Sequence, residues 1–447
     1  MPRMFGTDGV RGVANTEALS PELAYKLGRA AATLAAEKEG RRPVAVIGRD
    51  TRRSGPMLAA ALAAGICSAG GDVIDLGVVT TPAVAFVTTY QKASFGVMIS
   101  ASHNPAPDNG IKFFSGDGFK LPDAAEDELE AKVAENPDTM PRPTGAHLGT
   151  IRSDESLVEA YIQHVASTGR SLKGLKVVVD CGHGAAYKLS PEILTRLGAE
   201  VVAINTSPDG LNINDHCGST HPEALQKMVV VHQADVGIAH DGDSDRCIAV
   251  DERGELVDGD QIMAICAIAA KQRGELAKDT LVTTVMSNMG LDLLMRKHGI
   301  ALVKAKVGDR YVLEEMQKGG FNLGGEQSGH VIFGDYSTTG DGILTAVQLL
   351  SILASGSRAL SELAGQMQRL PQHLENVRVT KKEGWDTNPA IADAIAAVEA
   401  RLGDQGRVLV RPSGTEPLIR VMLEGPSLEG IRAMAQQIKE VILAELT

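Results

Sequence analysis

The sequence has few cysteines, few aromatic residues and no long apolar run, and these shortages exclude several classes of protein. The 447 residues include five cysteines, an odd number without Cys-x-x-Cys spacing, which disfavours both a zinc site and a disulfide framework. No uninterrupted apolar run reaches the ~20 residues that cross a bilayer, and the first residues lack the apolar core of a signal peptide. These absences predict a protein of the reducing cytoplasm that does not act at a membrane.

An excess of positive charge is also missing. Asp and Glu number 56 against 44 Lys and Arg, and no long basic run or aromatic-and-basic stripe is present. Nucleic-acid binding is therefore not expected, because it needs a basic surface. The acidic balance does not exclude an anionic substrate, since arginines and lysines can be concentrated in one cleft.

What the sequence does contain is a strand–helix–strand pattern that occurs three times. In each copy an apolar strand precedes a helix that ends near a glycine, and a second apolar strand follows directly. The predicted strand pairs are 44–47 with 72–76, 176–180 with 201–204, and 281–285 with 302–306. Three such units about one domain apart indicate three similar α/β domains with mixed or parallel sheets.

The C-terminal part follows a different pattern, which predicts a smaller α+β domain. Two neighbouring strands at 407–410 and 418–423 precede an amphipathic helix at 428–446. A chain of this length is expected to hold about two to four domains. Polar and proline-rich stretches place the predicted domains at 1–153, 154–257, 258–369 and 372–447.

Ser102 is the first candidate for chemistry, in the stretch Ile99-Ser100-Ala101-Ser102-His103-Asn104-Pro105. It follows an apolar run at 95–99 that predicts a buried strand, and Asn104-Pro105 and Asp108-Asn109-Gly110 prevent a helix from beginning at once. A hydroxyl on the loop after a strand is where α/β proteins commonly place chemistry. The alternative is a turn serine that bonds its own backbone.

Three carboxylates follow a predicted strand at 236–239, at the alternate positions Asp241, Asp243 and Asp245. They would repel one another without a cation, and Mg²⁺ is favoured because few carboxylates and a phosphate oxygen usually hold it. A solvated acidic turn is one alternative. The other is a calcium EF-hand that ends at Glu252, although Arg246 stands where that motif requires glycine.

Two further stretches suggest recognition of a phosphorylated sugar. Glu326, Ser328 and His330 lie in a glycine-rich segment that offers a carboxylate, a hydroxyl and an imidazole. The segment 411–417 with Arg420 offers two hydroxyls, an unobstructed glycine N–H and two arginines, a set that fits a dianion. Arg11 lies in a glycine-rich stretch that is either a tight turn or the support of an anion-binding arginine.

With Ser102, the three aspartates, the 324–330 stretch and the 411–417 stretch in this order, the chain resembles the α-D-phosphohexomutase superfamily along essentially its whole length. The segments 5–15 and 325–330 look like its bacterial branch that acts on amino sugars. The resemblance implies four domains around a central cleft. It also implies interconversion of glucosamine 6-phosphate and glucosamine 1-phosphate, through a phosphoserine and a 1,6-bisphosphate, for UDP-N-acetylglucosamine and cell-wall precursor synthesis. The alternative is the glucose and mannose phosphate branch of the same superfamily.

The resemblance also implies roles for single residues, carried over by motif. Ser102 would be the phosphoserine, and Asp241, Asp243 and Asp245 would hold Mg²⁺ together with an oxygen at Ser102. Glu326 and Ser328 would contact sugar hydroxyls, and the phosphate that is not transferred would be held by Arg411, Ser413, Gly414, Thr415 and Arg420. Lys120 and His330 are the hypotheses for the proton acceptor, with Arg246 and Arg11 as further catalytic candidates. The expected activator is glucosamine 1,6-bisphosphate or another hexose bisphosphate, and the expected assembly is a homodimer.

Two other function classes explain the sequence less well. A serine hydrolase or phosphatase would use Ser102 with His103 as its base, but neighbouring side chains rarely face each other and no Gly-x-Ser-x-Gly turn surrounds the serine. A non-catalytic sugar-phosphate sensor would need the 411–417 stretch but neither Ser102 nor the three aspartates.

Overall fold

The structure is a computed structural model that describes residues 3–6, 8–413 and 416–447. These residues form fourteen α-helices and four β-sheets. The chain divides into two compact units, one of residues up to 286 with 300–365, the other of 287–299 with 366–447. Among the helices of the described ranges, none is both long and apolar enough to cross a membrane.

The first sheet has six strands and carries four helices. The strands are β1 (Val10–Val13), β2 (Val44–Arg49), β3 (Asp72–Val78), β4 (Phe95–Ile99), β5 (Asp108–Ser115) and β6 (Ile151–Ser153). The helices are α1 (Pro21–Glu39), α2 (Gly55–Ser68), α3 (Thr81–Tyr90) and α4 (Asp123–Ala134). The strand order is β1-β5-β4-β2-β3-β6, with β5 antiparallel to both of its neighbours and the other pairs parallel.

The second sheet has five strands and, like the first, contains both parallel and antiparallel pairs. Its strands are β7 (Lys176–Asp180), β8 (Glu200–Ile204), β9 (Val236–His240), β10 (Cys247–Asp251) and β11 (Leu256–Val257), and its helices are α5 (Glu155–Ser167), α6 (Leu189–Arg196) and α7 (Glu223–His232). The order is β11-β10-β9-β7-β8. The pairs of β7 are parallel, whereas β10 is antiparallel to β9 and β11.

The third sheet repeats this arrangement with four strands in the order β13-β12-β14-β15. They are β12 (Thr280–Thr284), β13 (Ala301–Ala305), β14 (Leu323–Gly325) and β15 (Val331–Phe333). The helices of this segment are α8 (Gly259–Arg273), α9 (Met289–Lys297), α10 (Asp309–Gly319), α11 (Gly342–Ser355) and α12 (Leu360–Ala364). Helix α9 belongs to the second compact unit, although the strands before and after it belong to the first.

The fourth sheet is small and entirely antiparallel, in the order β16-β18-β17. Its strands are β16 (Gln372–Arg378), β17 (Arg407–Pro412) and β18 (Leu418–Glu424), and its helices are α13 (Pro389–Leu402) and α14 (Leu428–Leu446). The predicted fold class, three α/β regions with mixed sheets and a smaller α+β region, is confirmed.

Local signals explain why these elements begin and end where they do. Ser20 caps α1 by accepting a hydrogen bond from the N–H of Leu23, Pro21 lies in the first turn, and Gly40 ends the helix with a φ of +65°. All five residues of β4 are buried, as expected for an apolar strand inside a sheet that is covered on both faces.

Two glycine-containing stretches form strands that the sequence analysis did not predict. Residues 108–110, which were expected only to prevent a helix, begin β5, and Arg11 lies on β1 directly opposite Gly110. Asn and Gly are poor strand formers by propensity, but pairing on both sides of β5 outweighs that preference. Strand β16 and helix α13 were also missed.

Candidate active site

Ser102 lies on the loop after β4 and is 1% exposed. Its Oγ donates a hydrogen bond to Oδ2 of Asp241 at 2.5 Å. Its φ is +51°, in the left-handed region that few residues other than glycine adopt. The hydroxyl therefore does not bond its own backbone, as a turn serine would, but faces a carboxylate on the loop after β9.

The three aspartates lie together on the loop between β9 and β10. One carboxylate oxygen from each of Asp241, Asp243 and Asp245 lies within 4.8 Å of the others, and all three residues are buried. A Cβ on Gly242 would stand 2.5 Å from the carbonyl oxygen of Ser102, so a side chain there would prevent the close approach of the two loops. The structure thus brings the serine and the aspartates together.

The EF-hand alternative is wrong. Strands β9 and β10 flank the aspartate loop, whereas an EF-hand requires a helix on each side. The carboxylate of Glu252, which would be the final calcium ligand, accepts hydrogen bonds from the hydroxyl and the N–H of Ser361 instead.

Lys112, in the middle of β5, supplies positive charge to the aspartates. It is 1% exposed, and its Nζ lies 2.8 Å from Oδ2 of Asp243, 2.9 Å from Oδ2 of Asp8 and 3.8 Å from Oδ2 of Asp245. Thr81 donates a further hydrogen bond to Asp243 at 2.6 Å. Burial alone would raise the pKa of Asp243, but Lys112 and Thr81 hold it below its ordinary value. Asp243 is therefore ionised at neutral pH.

Asp241 has no lysine in contact with it. Burial, followed by the charges of Asp245 and Asp243, raises the pKa of Asp241 well above its ordinary value. Nε of Arg246 lies 4.0 Å from Oδ2 of Asp241 and 3.9 Å from Oδ1 of Asp245. Within the described residues, Nε of Arg246 and the Oδ1 atoms of Asp243 and Asp245 are buried without a hydrogen-bond partner.

Lys120 and Arg11 meet at Asp8. Nζ of Lys120 lies 2.5 Å from Oδ1 of Asp8 and also pairs with Asp309, and the guanidinium of Arg11 pairs with the other oxygen of Asp8. Burial alone would lower the pKa of Lys120, but Asp309 and Asp8 outweigh burial and raise it. In this arrangement Lys120 is a protonated cation that neutralises charge.

His330 precedes β15 and is 3% exposed. Its Nε2 lies 3.5 Å from Oδ2 of Asp309 and 4.0 Å from Oδ2 of Asp245. Neither ring nitrogen makes a hydrogen bond to any described residue. A buried imidazole without a hydrogen bond is uncommon, so these nitrogens are available to a ligand or a proton.

Glu326 and Ser328 lie on the turn between β14 and β15. Oε1 of Glu326 accepts a hydrogen bond from the N–H of Gly308 at 3.1 Å, and Ser328 is exposed. Gly329 has a φ of +92°, and a Cβ there would stand 2.3 Å from the carbonyl oxygen of Cys247. The turn therefore packs against β10, the strand that follows the aspartate loop.

The predicted phosphate-binding residues belong to the second compact unit. Arg411 on β17 and Arg420 on β18 are direct partners in the antiparallel register, so both side chains lie on one face. Within the described residues neither guanidinium has a carboxylate partner, and Nε of Arg420 is buried without a hydrogen bond. Ser413 is buried, and its carbonyl oxygen accepts from Nζ of Lys382 at 2.6 Å. The predicted Gly414 and Thr415 lie outside the described residues.

His103 stands closer to Ser102 than the sequence analysis expected. Its Nδ1 lies 3.3 Å from Oγ of Ser102, so these neighbouring side chains do face each other. Burial, followed by the charges of Arg246 and Arg11, lowers the pKa of His103 to about 4. The imidazole is therefore neutral at pH 7.

Sequence reasoning missed Lys112, Asp8 and Asp309 in this cluster. Lys112 carried a usable signal in its apolar neighbours Ile111 and Phe113, because a lysine buried among apolar residues is costly unless a carboxylate pairs with it. Asp8 stands in the same glycine-rich stretch as Arg11. Asp309 carried no such signal in the sequence, since an acidic residue in the first turn of a helix such as α10 is ordinary.

Comparisons with protein families agree with this fold. Four family models match consecutive segments, described as phosphoglucomutase/phosphomannomutase alpha/beta/alpha domain I (2–140), domain II (159–254), domain III (258–370) and C-terminal domain (374–441). The chain therefore belongs to the phosphoglucomutase/phosphomannomutase family of the α-D-phosphohexomutase superfamily.

Individual relatives indicate to which branch of the superfamily the chain belongs. The phosphoglucosamine mutase of Symbiobacterium thermophilum is 76% identical over 446 residues, which cover 100% of both chains. That of Pelotomaculum thermopropionicum is 56% identical over 440 residues, 98% of each chain. The superfamily branch expected from residues 5–15 and 325–330 is thereby confirmed.

Solved structures share the fold. A phosphoglucomutase/phosphomannomutase family protein from Burkholderia thailandensis has a TM-score of 0.82 and 26% identity, over 99% of this chain and 97% of that one. The Aspergillus fumigatus N-acetylphosphoglucosamine mutase, solved in complex with GlcNAc-6P and magnesium, has a TM-score of 0.66 and 18% identity, over 99% and 96%.

Proposed function

We propose that this chain interconverts glucosamine 6-phosphate and glucosamine 1-phosphate through a phosphoserine at Ser102. The observation that carries the proposal is the 2.5 Å hydrogen bond from Oγ of Ser102 to Asp241, inside a buried cluster of three carboxylates. Relatives that are named phosphoglucosamine mutase, and match the whole chain, support the choice of sugar.

The residues present fit a magnesium ion. Asp241, Asp243 and Asp245 converge within 4.8 Å, and two of their buried oxygens have no hydrogen-bond partner among the described residues. These three aspartates and an oxygen at Ser102 would hold Mg²⁺, which favours few carboxylates together with a phosphate oxygen. When bound, the cation neutralises negative charge on the phosphoryl group that is transferred.

The reaction consists of two phosphoryl transfers in opposite directions. In the first, the bond between Oγ of Ser102 and phosphorus breaks, a bond from phosphorus to the free sugar hydroxyl oxygen forms, and the hydroxyl proton passes to a base. The resulting 1,6-bisphosphate turns over. In the second, its other phosphate returns to Ser102 and the new hydroxyl oxygen takes a proton, so atoms and charge balance over the cycle. Such chemistry depends mainly on positioning and on charge neutralisation.

His330 is favoured over Lys120 as the base. Lys120 is held protonated by Asp8 and Asp309, and its pKa is raised, whereas the buried nitrogens of His330 make no hydrogen bond to any described residue. Lys112, Lys120, Arg11 and Arg246 would then stabilise the transferred phosphate by their charge.

The remaining predicted residues bind the sugar and its second phosphate in this proposal. Glu326 accepts hydrogen bonds from sugar hydroxyls, with Ser328 beside it. Arg411, Ser413, Gly414, Thr415 and Arg420 hold the phosphate that is not transferred. A hexose 1,6-bisphosphate phosphorylates Ser102 before the first cycle, and we propose that the enzyme acts in the cytoplasm as a homodimer.

The test is a coupled assay of purified protein with Mg²⁺ and a trace of hexose 1,6-bisphosphate, for wild type and Ser102→Ala. Clear preference for glucosamine 6-phosphate over glucose and mannose 6-phosphates, with activity nearly abolished in the variant and after chelation of the metal, is the expected result. Preference for glucose or mannose phosphate would move the chain to the alternative branch. Activity unaffected by the substitution would overturn the mechanism.

One observation favours a second candidate, a serine-dependent phosphatase. The neutral imidazole of His103 lies 3.3 Å from Oγ of Ser102 and could accept its proton. The same assay separates the two functions, because a phosphatase releases inorganic phosphate in proportion to substrate consumed, whereas a mutase conserves it.

A further inference from the structure

A fully buried ion pair lies behind the loop that carries Ser102. Nε of Arg52 donates to Oδ2 of Asp50 at 2.8 Å, and both side chains are 0% exposed. The other guanidinium nitrogens of Arg52 donate to four backbone carbonyls of the serine loop: Ser102 at 2.9 Å, Asn104 at 2.8 Å, Pro105 at 2.5 Å and Asp108 at 3.0 Å. One buried cation therefore fixes the path of this loop.

Ser100 links the ion pair to the backbone of Ser102. Its Oγ donates to Oδ2 of Asp50 at 2.6 Å and accepts from the N–H of Ser102 at 2.9 Å. A serine hydroxyl has a single hydrogen. Because Asp50 receives that hydrogen, the hydroxyl oxygen of Ser100 presents only lone pairs to the N–H of Ser102.

Ser102 needs such support because of its backbone conformation. A serine in the left-handed region is retained only where surrounding contacts hold it. Here Ser100 holds the N–H, and the carbonyl oxygen accepts from Arg52 and from Nδ2 of Asn214, each at 2.9 Å. With both backbone groups fixed, the Oγ of Ser102 points at Asp241.

We propose that Asp50, Arg52 and Ser100 are positioning residues that act through the backbone of Ser102 and set the direction of its Oγ for phosphoryl transfer. This inference rests on the proposed function. The buried charges agree with such a role, because a buried ion pair contributes little net stability after its desolvation cost.

Ser100→Ala tests the proposal most directly, because it removes one hydroxyl and leaves the ion pair. Ser351→Ala is the matched control, since Oγ of Ser351 is also buried and also accepts a backbone N–H, from Arg170 at 2.9 Å. For each variant, transfer of phosphate from glucose 1,6-bisphosphate to Ser102 is followed by intact mass. The KM for the hexose phosphate and the melting temperature are measured in parallel.

We expect Ser100→Ala to slow phosphorylation of Ser102 and kcat by about 10²-fold, the scale of a small misplacement of a reacting atom. KM should change little, and the melting temperature should fall no further than in Ser351→Ala, which should keep the wild-type rate. Ser100→Thr, which retains the hydroxyl, should recover most of the rate. Equal rates in Ser100→Ala and Ser351→Ala would overturn the inference. So would a loss of rate in Ser100→Ala that comes with a larger fall in melting temperature than in Ser351→Ala and that Ser100→Thr does not reverse. Absence of phosphorylation in the wild type would instead overturn the proposed function.

Discussion

The cluster around Ser102 and the pair of Arg411 and Arg420 on the β17–β18 hairpin are both rich in charge, but only the charges of the cluster have counter-charges in contact with them. Lys112 contacts Asp8 and Asp243, and Lys120 contacts Asp8 and Asp309. The two arginines of the hairpin oppose each other directly, with no carboxylate partner among the described residues.

This difference predicts that the cluster acts mainly in catalysis and the arginine pair mainly in binding. A region whose charges are balanced before substrate arrives is preorganised, so its substitution should change mainly the rate of the chemical step. Where two cations face each other, an anionic ligand neutralises their charge when it binds. Substitution of one of these cations should therefore change mainly the affinity for the ligand.

The largest expected effect tests which residue of the cluster accepts the proton and which only supplies positive charge. His330→Ala should lower kcat by about 10²–10⁴-fold, the usual contribution of a general base. Lys120→Arg should retain more than about a tenth of kcat, because arginine keeps the charge but does not give up its proton. Steady-state kinetics with glucosamine 6-phosphate measures both. A reversed order, with His330→Ala active and Lys120→Arg inactive, would assign the base to Lys120.

An intermediate effect is expected in the hairpin. Arg420→Ala should raise KM for the hexose phosphate by about 10–100-fold, since a hydrogen bond to a charged group contributes about 1.5–3 kcal/mol. The same change should stabilise the ligand-free protein slightly, by about 0.2–1 kcal/mol, because it removes a like-charge pair.

Arg432→Ala is the control for this experiment, because Arg432 is exposed on α14 of the same unit. Kinetics and thermal melting of the two variants are compared. If Arg420→Ala lowers kcat without changing KM, the contrast between the cluster and the hairpin fails.

The smallest expected effect on activity concerns a buried carboxylate outside both regions, with no cation in contact, where the change is one of stability. Asp341 caps α11 and accepts a hydrogen bond from the hydroxyl of Tyr161 at 3.0 Å, and burial raises its pKa from 3.8 to about 6. The folded state thus binds the proton more tightly than the unfolded chain, and this stabilisation is lost as pH rises through 6. Relative to wild type, Asp341→Asn should gain up to about 3 kcal/mol between pH 4 and pH 7.

Unfolding midpoints of variant and wild type across this pH range measure the gain. Asp154→Asn supplies a flat control, because hydrogen bonds from Ser156 and Arg152 lower the pKa of that capping carboxylate below 3.8. The carboxylate is ionised in the folded and the unfolded state between pH 4 and pH 7, so the difference between this variant and wild type should stay nearly constant there and change only at lower pH. Parallel pH curves for wild type and Asp341→Asn would contradict the expectation.

Much of the fold could be predicted from local signals. The helix 428–446 and the strands 95–99 and 176–180 have the observed bounds, because apolar periodicity and the residues that end each element lie within or beside the segments themselves. Strand β5 was missed because its start resembles a turn and only its pairing with β1 and β4 stabilises it.

The candidate site likewise contains some residues that could be predicted from local sequence and others that could not. Ser102 and the aspartates were predictable, since their residue types and spacing are visible along the chain. The interactions of Lys112 with Asp8 and of Lys120 with Asp309 were not, because residue pairs more than a hundred positions apart leave no mark in local sequence. The backbone conformation of Ser102 was equally hidden, because it depends on Arg52, Ser100 and Asn214.

The register of the β17–β18 hairpin has a consequence for sequence variation. Arg411 and Arg420 share a face only while each residue of one strand keeps its partner on the other. A slip of one residue would turn one guanidinium to the opposite face without changing the composition of the segment. An insertion within either strand should thus be more damaging than several substitutions on its outer face. The spacing between the two arginines deserves to be weighed alongside their identity when other chains are compared with this one.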